Sequence, residues 1–174
     1  PSIGNHEEKD VDLFNPYDLE YEAPLMKNLS EVYANFISGK ELEDMSTKGF
    51  YTTKYLDTKL RIISLNSFLC DSLNYFLVKD PTDPLGQIDF LYETLKQAEK
   101  DGEKVFIIGH IPPGDRGFLV ECNKYYNALL DRFQHIITGH FYGHSHHDEI
   151  RLIKGYFDKS KIITTAFIAP STST

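Results

Sequence analysis

Residues 105–108, Val105-Phe106-Ile107-Ile108, form an unbroken apolar run bounded by Lys104 on one side and Gly109-His110 on the other. A short run that is apolar at every position reads as a strand covered on both faces, the habit of parallel sheets. Parallel neighbours need crossover connections, and the flanking sequence supplies them. Asp83-Pro84 opens a helix, with Asp83 as N-cap and Pro84 in the first turn. Leu85, Ile88, Leu91, Leu95 and Ala98 fall on one face, and Asp101-Gly102 closes it. Residues 123–133 read as another helix, and Ile136-Ile137 begins a further buried strand running to 142. Residues 149–153 and 161–168 supply two more strands, while 50–56 and 60–66 suit a hairpin across Asp57-Thr58. Upstream, residues 7–23 read as a long irregular loop. From Pro24 the positions Leu25, Leu29, Val32, Tyr33 and Phe36 follow helical spacing to an end near Gly39. Helices alternating with buried strands give an α/β class. The expected core is Ile62, Leu65, Leu91, Leu95, Phe106, Ile108, Ile137, Phe167 and Ile168.

At 174 residues, 41% hydrophobic and 25% charged, the chain suits one globular domain able to bury a core. Its net charge of −8, with no Lys/Arg block, excludes a nucleic-acid polymer as partner. No apolar run approaches the roughly 18 residues of a membrane span, and an acidic chain is repelled by anionic membranes unless a separate element docks it. Pro1-Ser2-Ile3 carries neither an initiating Met nor a signal segment, and 166–171 stops just after a strand-like run. The expectation is a piece of something larger. The two cysteines, Cys70 and Cys122, are compatible with a bridge or with two buried thiols. Asn28-Leu29-Ser30 is a glycosylation sequon. Together they lean towards a secreted or lumenal compartment.

The chemistry gathers behind apolar runs. Ile3 leads into Gly4-Asn5-His6-Glu7, 105–108 into Gly109-His110-Ile111-Pro112-Pro113-Gly114, and 136–142 into Gly143-His144-Ser145-His146. Each run ends in glycine followed directly by a metal-ligating type, at the strand ends where open α/β sheets bind ligands. Singly, each motif is weak: a lone Gly-His at a strand end is usually a satisfied core histidine. The stretch 141–149, FYGHSHHDE, reads as a solvated histidine-rich turn or as part of a metal site. Positions i and i+2 share a side of a strand, and in a tight turn they can address two neighbouring ions. Imidazoles suit zinc, and an Asn amide oxygen adds a neutral ligand.

In conjunction and in this order, the motifs resemble those of calcineurin-like metallophosphoesterases: GNH followed by an acid, then GH, then GHxH. Residues 63–66 (ISLN), Thr82-Asp83-Pro84 with Gln87, 105–114 (VFIIGHIPPG), 141–149 and 166–171 (AFIAPS) resemble the acid sphingomyelinase family. That resemblance implies a β-sandwich flanked by helices (αββα), of which residues 1–174 form the later part of a catalytic domain. The family's early motifs would lie upstream of Asn5, with further metal ligands and a second catalytic histidine. It implies two Zn2+ ions, one bound by Asn5, His110 and His144 and the other by His146. It makes His6 the catalytic residue beside the scissile phosphate, and the metals the activators of the attacking water. The implied reaction is hydrolysis of a phosphodiester, sphingomyelin to ceramide and phosphocholine. A nucleotide or other small phosphodiester, and a non-catalytic binding module, are the alternatives. The resemblance also implies a Cys70–Cys122 disulfide, a secreted or lysosomal location with peripheral membrane contact and, with a pI near 5.3, an acidic working pH; the sequon makes Asn28 the candidate glycosylation site. His147 reads as a loop residue near the site; His140 and His135 as flanking strand residues; Asp148 and Glu149 as orienting partners or a solvated acidic turn. Phe14, Tyr17, Tyr75, Phe76, Phe118 and Leu119 read as loop packing rather than contacts for a lipid tail.

Overall fold

The computed structural model describes residues 1–172. Its frame is one six-stranded mixed sheet, ordered β1-β2-β3-β4-β6-β5. The strands are β1 (Tyr51–Lys54), β2 (Leu60–Ser64), β3 (Lys104–Ile108), β4 (Ile137–Tyr142), β5 (Glu149–Lys154) and β6 (Ile162–Ile168). β1 and β2 form the expected antiparallel hairpin, Tyr51 opposite Ser64. β2, β3, β4 and β6 run parallel, and β5 closes the far edge antiparallel to β6. The crossovers are α3 (Gln87–Asp101) and α4 (Val120–Phe133). This is the α/β architecture expected of the chain. Among the described residues there is a single sheet.

Asp83 caps α3 at a distance. A single turn of 3-10 helix (Pro84–Gly86) intervenes, with Leu85 at φ 58°, and the Asp83 carboxylate accepts from the Ile88 and Asp89 N–H groups at 2.6 and 3.0 Å. Leu91, Leu95 and Ala98 of α3 pack with Tyr126, Leu130 and Phe133 of α4 over Ile63, Val105, Ile107, Tyr142, Ala166 and Ile168 of the sheet. A second cluster joins Ile3, Phe14, Met26, Tyr33, Met45, Phe50 and Phe68 under the N-terminal helices α1 (Leu19–Tyr33) and α2 (Gly39–Lys48).

Those two helices depart from expectation. α1 starts five residues ahead of Pro24, because the Asp18 carboxylate accepts from Tyr21 N–H at 3.0 Å and caps it. Its buried side is Glu22, Met26 and Tyr33, whereas Val32 and the following Phe36 are exposed. α2, unforeseen, begins at the expected stop Gly39, and only Met45 on it is buried.

The core also differs in phase. Leu65, Leu91, Leu95, Ile137 and Ile168 are buried, but Ile62, Phe106 and Ile108 are half-buried and Phe167 is exposed. Cross-strand partners share a face, and Ile62–Phe106, Ile108–Phe141 and Phe141–Phe167 are such pairs. A strand apolar on both sides does not reveal which side the helices cover. Here they cover the other one, leaving Phe141, Phe167, Ile150 and Leu152 as an open apolar face.

Candidate metal centre

Adjacent parallel strands end side by side, so β3 and β4 deliver Gly109-His110 and Gly143-His144 to the same edge. Gly109 N–H donates to Phe141 O at 3.1 Å and Gly143 N–H to His110 O at 3.0 Å, which locks the two loops together. The His110 and His144 rings then meet edge-to-face with centroids 5.3 Å apart. β2 ends next to them, and the Ser67 hydroxyl just beyond it accepts from the His110 and Ile111 N–H groups at 2.8 and 3.0 Å.

The third motif arrives differently. Residues 1–4 lie outside any strand among the described residues, contrary to the strand-end expectation for Ile3. Pro1 O instead accepts from the Tyr51 and Ser64 hydroxyls at 2.9 and 2.8 Å, and Ile3 is fully buried. This lays Gly4-Asn5 across the sheet edge, where Asn5 Oδ1 lies 2.8 Å from His110 Nε2. A Cβ on Gly4 would come within 3.0 Å of the His110 ring, so only glycine permits that approach.

His144 and His146 both sit at positive φ, 73° and 64°. L-residues rarely adopt that region, histidine more readily than most, and such strain gathers at functional sites. Alternating with Ser145, the left-handed residues coil the segment into a turn rather than extending it. Burial pushes the His110 imidazole down to about 4, and the nearby His144, His6 and His146 repel its charge as well. Asn5, His6, His110, His144 and His146 therefore share one neighbourhood, with Asn5 buried, His110 and His144 half-buried, and His6 and His146 exposed.

Other histidines are elsewhere. His147 is exposed, its Nδ1 2.7 Å from Ser145 O. His140 is fully buried and stacked on Tyr142, its ring nitrogens have no hydrogen-bond partner among the described residues, and burial pushes it down to about 4. His135 pairs with Glu99 at 2.8 Å, just ahead of β4 and at the far end of that strand from His144. Asp148 is exposed; Glu149 accepts from Arg151 at 3.2 Å, and Arg151 reaches Asp115 at 2.9 Å. The Ser145 hydroxyl, then Arg151, hold Glu149 below the usual carboxylate range. Asp115 in turn accepts from Gly117 N–H at 3.0 Å, and a Cβ on Gly117 would stand 3.4 Å from His144 Nε2. Sequence reasoning missed Ser67, Asp115 and Arg151; only the meeting of β2, β3 and β5 ends gives them a role. Phe14 is core, stacked on Phe68 at 5.6 Å, whereas Tyr75 is 71% exposed.

Cys70 and Cys122 are joined by a disulfide, Cα–Cα 5.6 Å. It ties the turn after β2 to the first turn of α4, behind the His110 loop. Asn28, the sequon residue, is exposed on α1.

The donor types suit a divalent ion: imidazole nitrogens and an amide oxygen, with Asn5 and His110 satisfying one another directly. Among the described residues no group of at least three His, Cys, Asp or Glu side chains is arranged to hold an ion, so the chain offers part of a coordination shell. Residues 1–148 match the model of the calcineurin-like phosphoesterase family. The chain belongs to that family. Membership implies divalent metal ions. Over its full length the chain is 34% identical to the sphingomyelin phosphodiesterase of Bos taurus and 33% identical to that of Homo sapiens, spanning 28% of each. It is 32% identical to a cyclic GMP-AMP phosphodiesterase of Bos taurus, with 98% of the chain and 38% of the relative aligned. The chain thus spans less than two fifths of the length of each of these relatives. No helix among the described residues is long and apolar enough to cross a membrane.

Proposed function

We propose that this chain is the later part of a metal-dependent phosphodiesterase of the sphingomyelinase type, hydrolysing sphingomyelin to ceramide and phosphocholine. The observation that carries this is the meeting of Asn5, His110 and His144, from three distant segments, at one sheet edge. The matches to sphingomyelin phosphodiesterases along the whole chain support it. The open apolar face of Phe141, Phe167, Ile150 and Leu152 supports the view that residues 1–174 are one part of a sandwich domain.

In this reading Asn5, His110 and His144 hold one Zn2+ and His146 contributes to a second. Bound there, the ions supply positive charge that neutralises a phosphodiester and makes water a better nucleophile. His6, exposed and adjacent to Asn5, stands at the open rim and hands a proton to the departing oxygen. Gly4 and Gly143 keep the space beside the His110 ring clear, and the Ser67 hydroxyl fixes that ring's backbone. The disulfide and the exposed Asn28 support a secreted or lysosomal setting with glycosylation.

The test is hydrolysis by the longer parent protein, offered sphingomyelin and a cyclic dinucleotide in parallel, with His6→Ala and His144→Ala variants. Zinc-dependent release of phosphocholine, lost in both variants, is expected; turnover of the dinucleotide alone would move the chain to the second substrate class. Residues 1–174 by themselves are expected to show negligible turnover and weak zinc binding, because their donors form only part of a shell.

A further inference from the structure

Asp12 lies seven residues beyond Asn5, outside every motif that the family resemblance uses. Two bonds close the loop between them. Asp12 N–H donates to Asn5 O at 3.0 Å, and Asn5 Nδ2 donates to Asp12 Oδ1 at 2.7 Å. Asp12 adopts φ 69°, a left-handed conformation that aspartate enters more readily than most residues. Asn5 is 6% exposed, so its amide finds its partners within the protein rather than in water.

An amide end is nearly symmetric in shape, with oxygen on one side and nitrogen on the other. Turned over, Asn5 would aim an NH2 at His110, and an NH2 has no lone pair for a cation. A carboxylate settles the choice because it only accepts. With Asp12 taking the nitrogen, the oxygen must face His110 Nε2, 2.8 Å away. We infer that Asp12 is a positioning residue: its carboxylate locks the Asn5 amide so that the oxygen faces His110 and a cation held beside it. The inference rests on the metal-site reading for its purpose, though the lock itself is geometry.

The test separates the two. In the 174-residue chain with 15N-labelled asparagine, one Asn5 side-chain amide proton should resonate apart and exchange slowly. Asp12→Ala should abolish that signature; its survival there would overturn the lock. Cobalt titration of the longer parent protein, followed by absorbance, gives the second reading. Asp12→Ala is expected to weaken binding about tenfold, as removal of a ligand's orienting partner does. Asp12→Asn should weaken it less, because an amide oxygen can still accept. Asn5→Asp sets two carboxylates face to face and should bind poorly. Adding Asp12→Asn to Asn5→Asp should restore binding, an exchange that a merely loop-closing role would not reward. Equal cobalt affinity in wild type and Asp12→Ala would overturn the positioning role. A longer parent protein showing the amide signature but taking up no cobalt would overturn the metal-site reading and leave the lock in place. Circular dichroism melting of each variant confirms that folded protein is compared.

Discussion

The Ser67 hydroxyl serves two backbone donors at once, and both belong to the loop that carries His110. Ser67 and Ile111 are almost fully buried, so water cannot replace the lost acceptor. Ser67→Ala is therefore expected to cost about 2 to 4 kcal/mol, one to two unpaired buried N–H groups. The shift of the urea midpoint measures it, and a change below 0.5 kcal/mol would refute the assignment. At this scale the sequence was legible where chemistry names itself. Asn5, His110, His144 and His146 stand out by residue type, and the first three by the glycine directly before each. Asp12, Asp115 and Arg151 are ordinary charged residues whose roles depend on what folds against them, and no local pattern marks them.

Two ties hold the elements that frame the site. The disulfide closes a sequence separation of 52 residues, and a loop of that length lowers unfolded-state entropy by roughly 4 kcal/mol. Replacing both cysteines by alanine should lower stability by about that amount. The site edge should nonetheless stay in place, because Leu119 N–H still donates to Cys70 O at 2.7 Å and Ser72 N–H to Gly117 O at 2.8 Å. Retained cobalt uptake by the double variant checks this. At the opposite end of the sheet, Glu103 accepts from Lys54 and Arg61, each at 2.6 Å, with its side chain 4% exposed. Burial opposes its charge, but the two cations prevail and hold its pKa below the usual range. Glu103→Ala strands Arg61 against the sheet and is expected to cost about 3 kcal/mol, read as a loss in melting temperature. The strands were legible as short apolar or alternating runs between turn residues. Which face the helices would cover was not, since Phe106 and Ile107 look alike in sequence and only packing separates them.

Two buried titrating groups give the whole molecule opposing responses to pH. Burial raises Asp71 to about 6, with Asp12 adding repulsion, although Leu73 N–H hydrogen-bonds it. Its folded pKa lies above the ordinary 3.8, so the stabilisation is full below about pH 4 and is lost as pH rises through 6. A shift of about two units corresponds to about 3 kcal/mol. His140 runs the other way: burial lowers it from 6.5 to about 4. Its contribution is full above about 6.5 and is lost as pH falls towards 4, again about 3 kcal/mol. Asp71→Asn should therefore stabilise the chain at pH 7.5, match wild type near pH 4, and show a steeper loss on acidification. His140→Leu should soften that acid loss. Urea midpoints measured between pH 4 and 7.5 decide both, and parallel curves for all three proteins would refute the pairing.

By itself the sequence determined the alternation of helices and buried strands, the order of the glycine-led histidine motifs and the family. Hydrophobic periodicity, turn residues and ligand types are local properties, written wherever they occur. The tertiary structure decided that β3 and β4 run side by side, that the N-terminal segment crosses their ends, and that His144 and His146 coil left-handed. It also decided which sheet face stays open. These depend on contacts between residues tens of positions apart, whose free energy exists only once the chain has closed on itself.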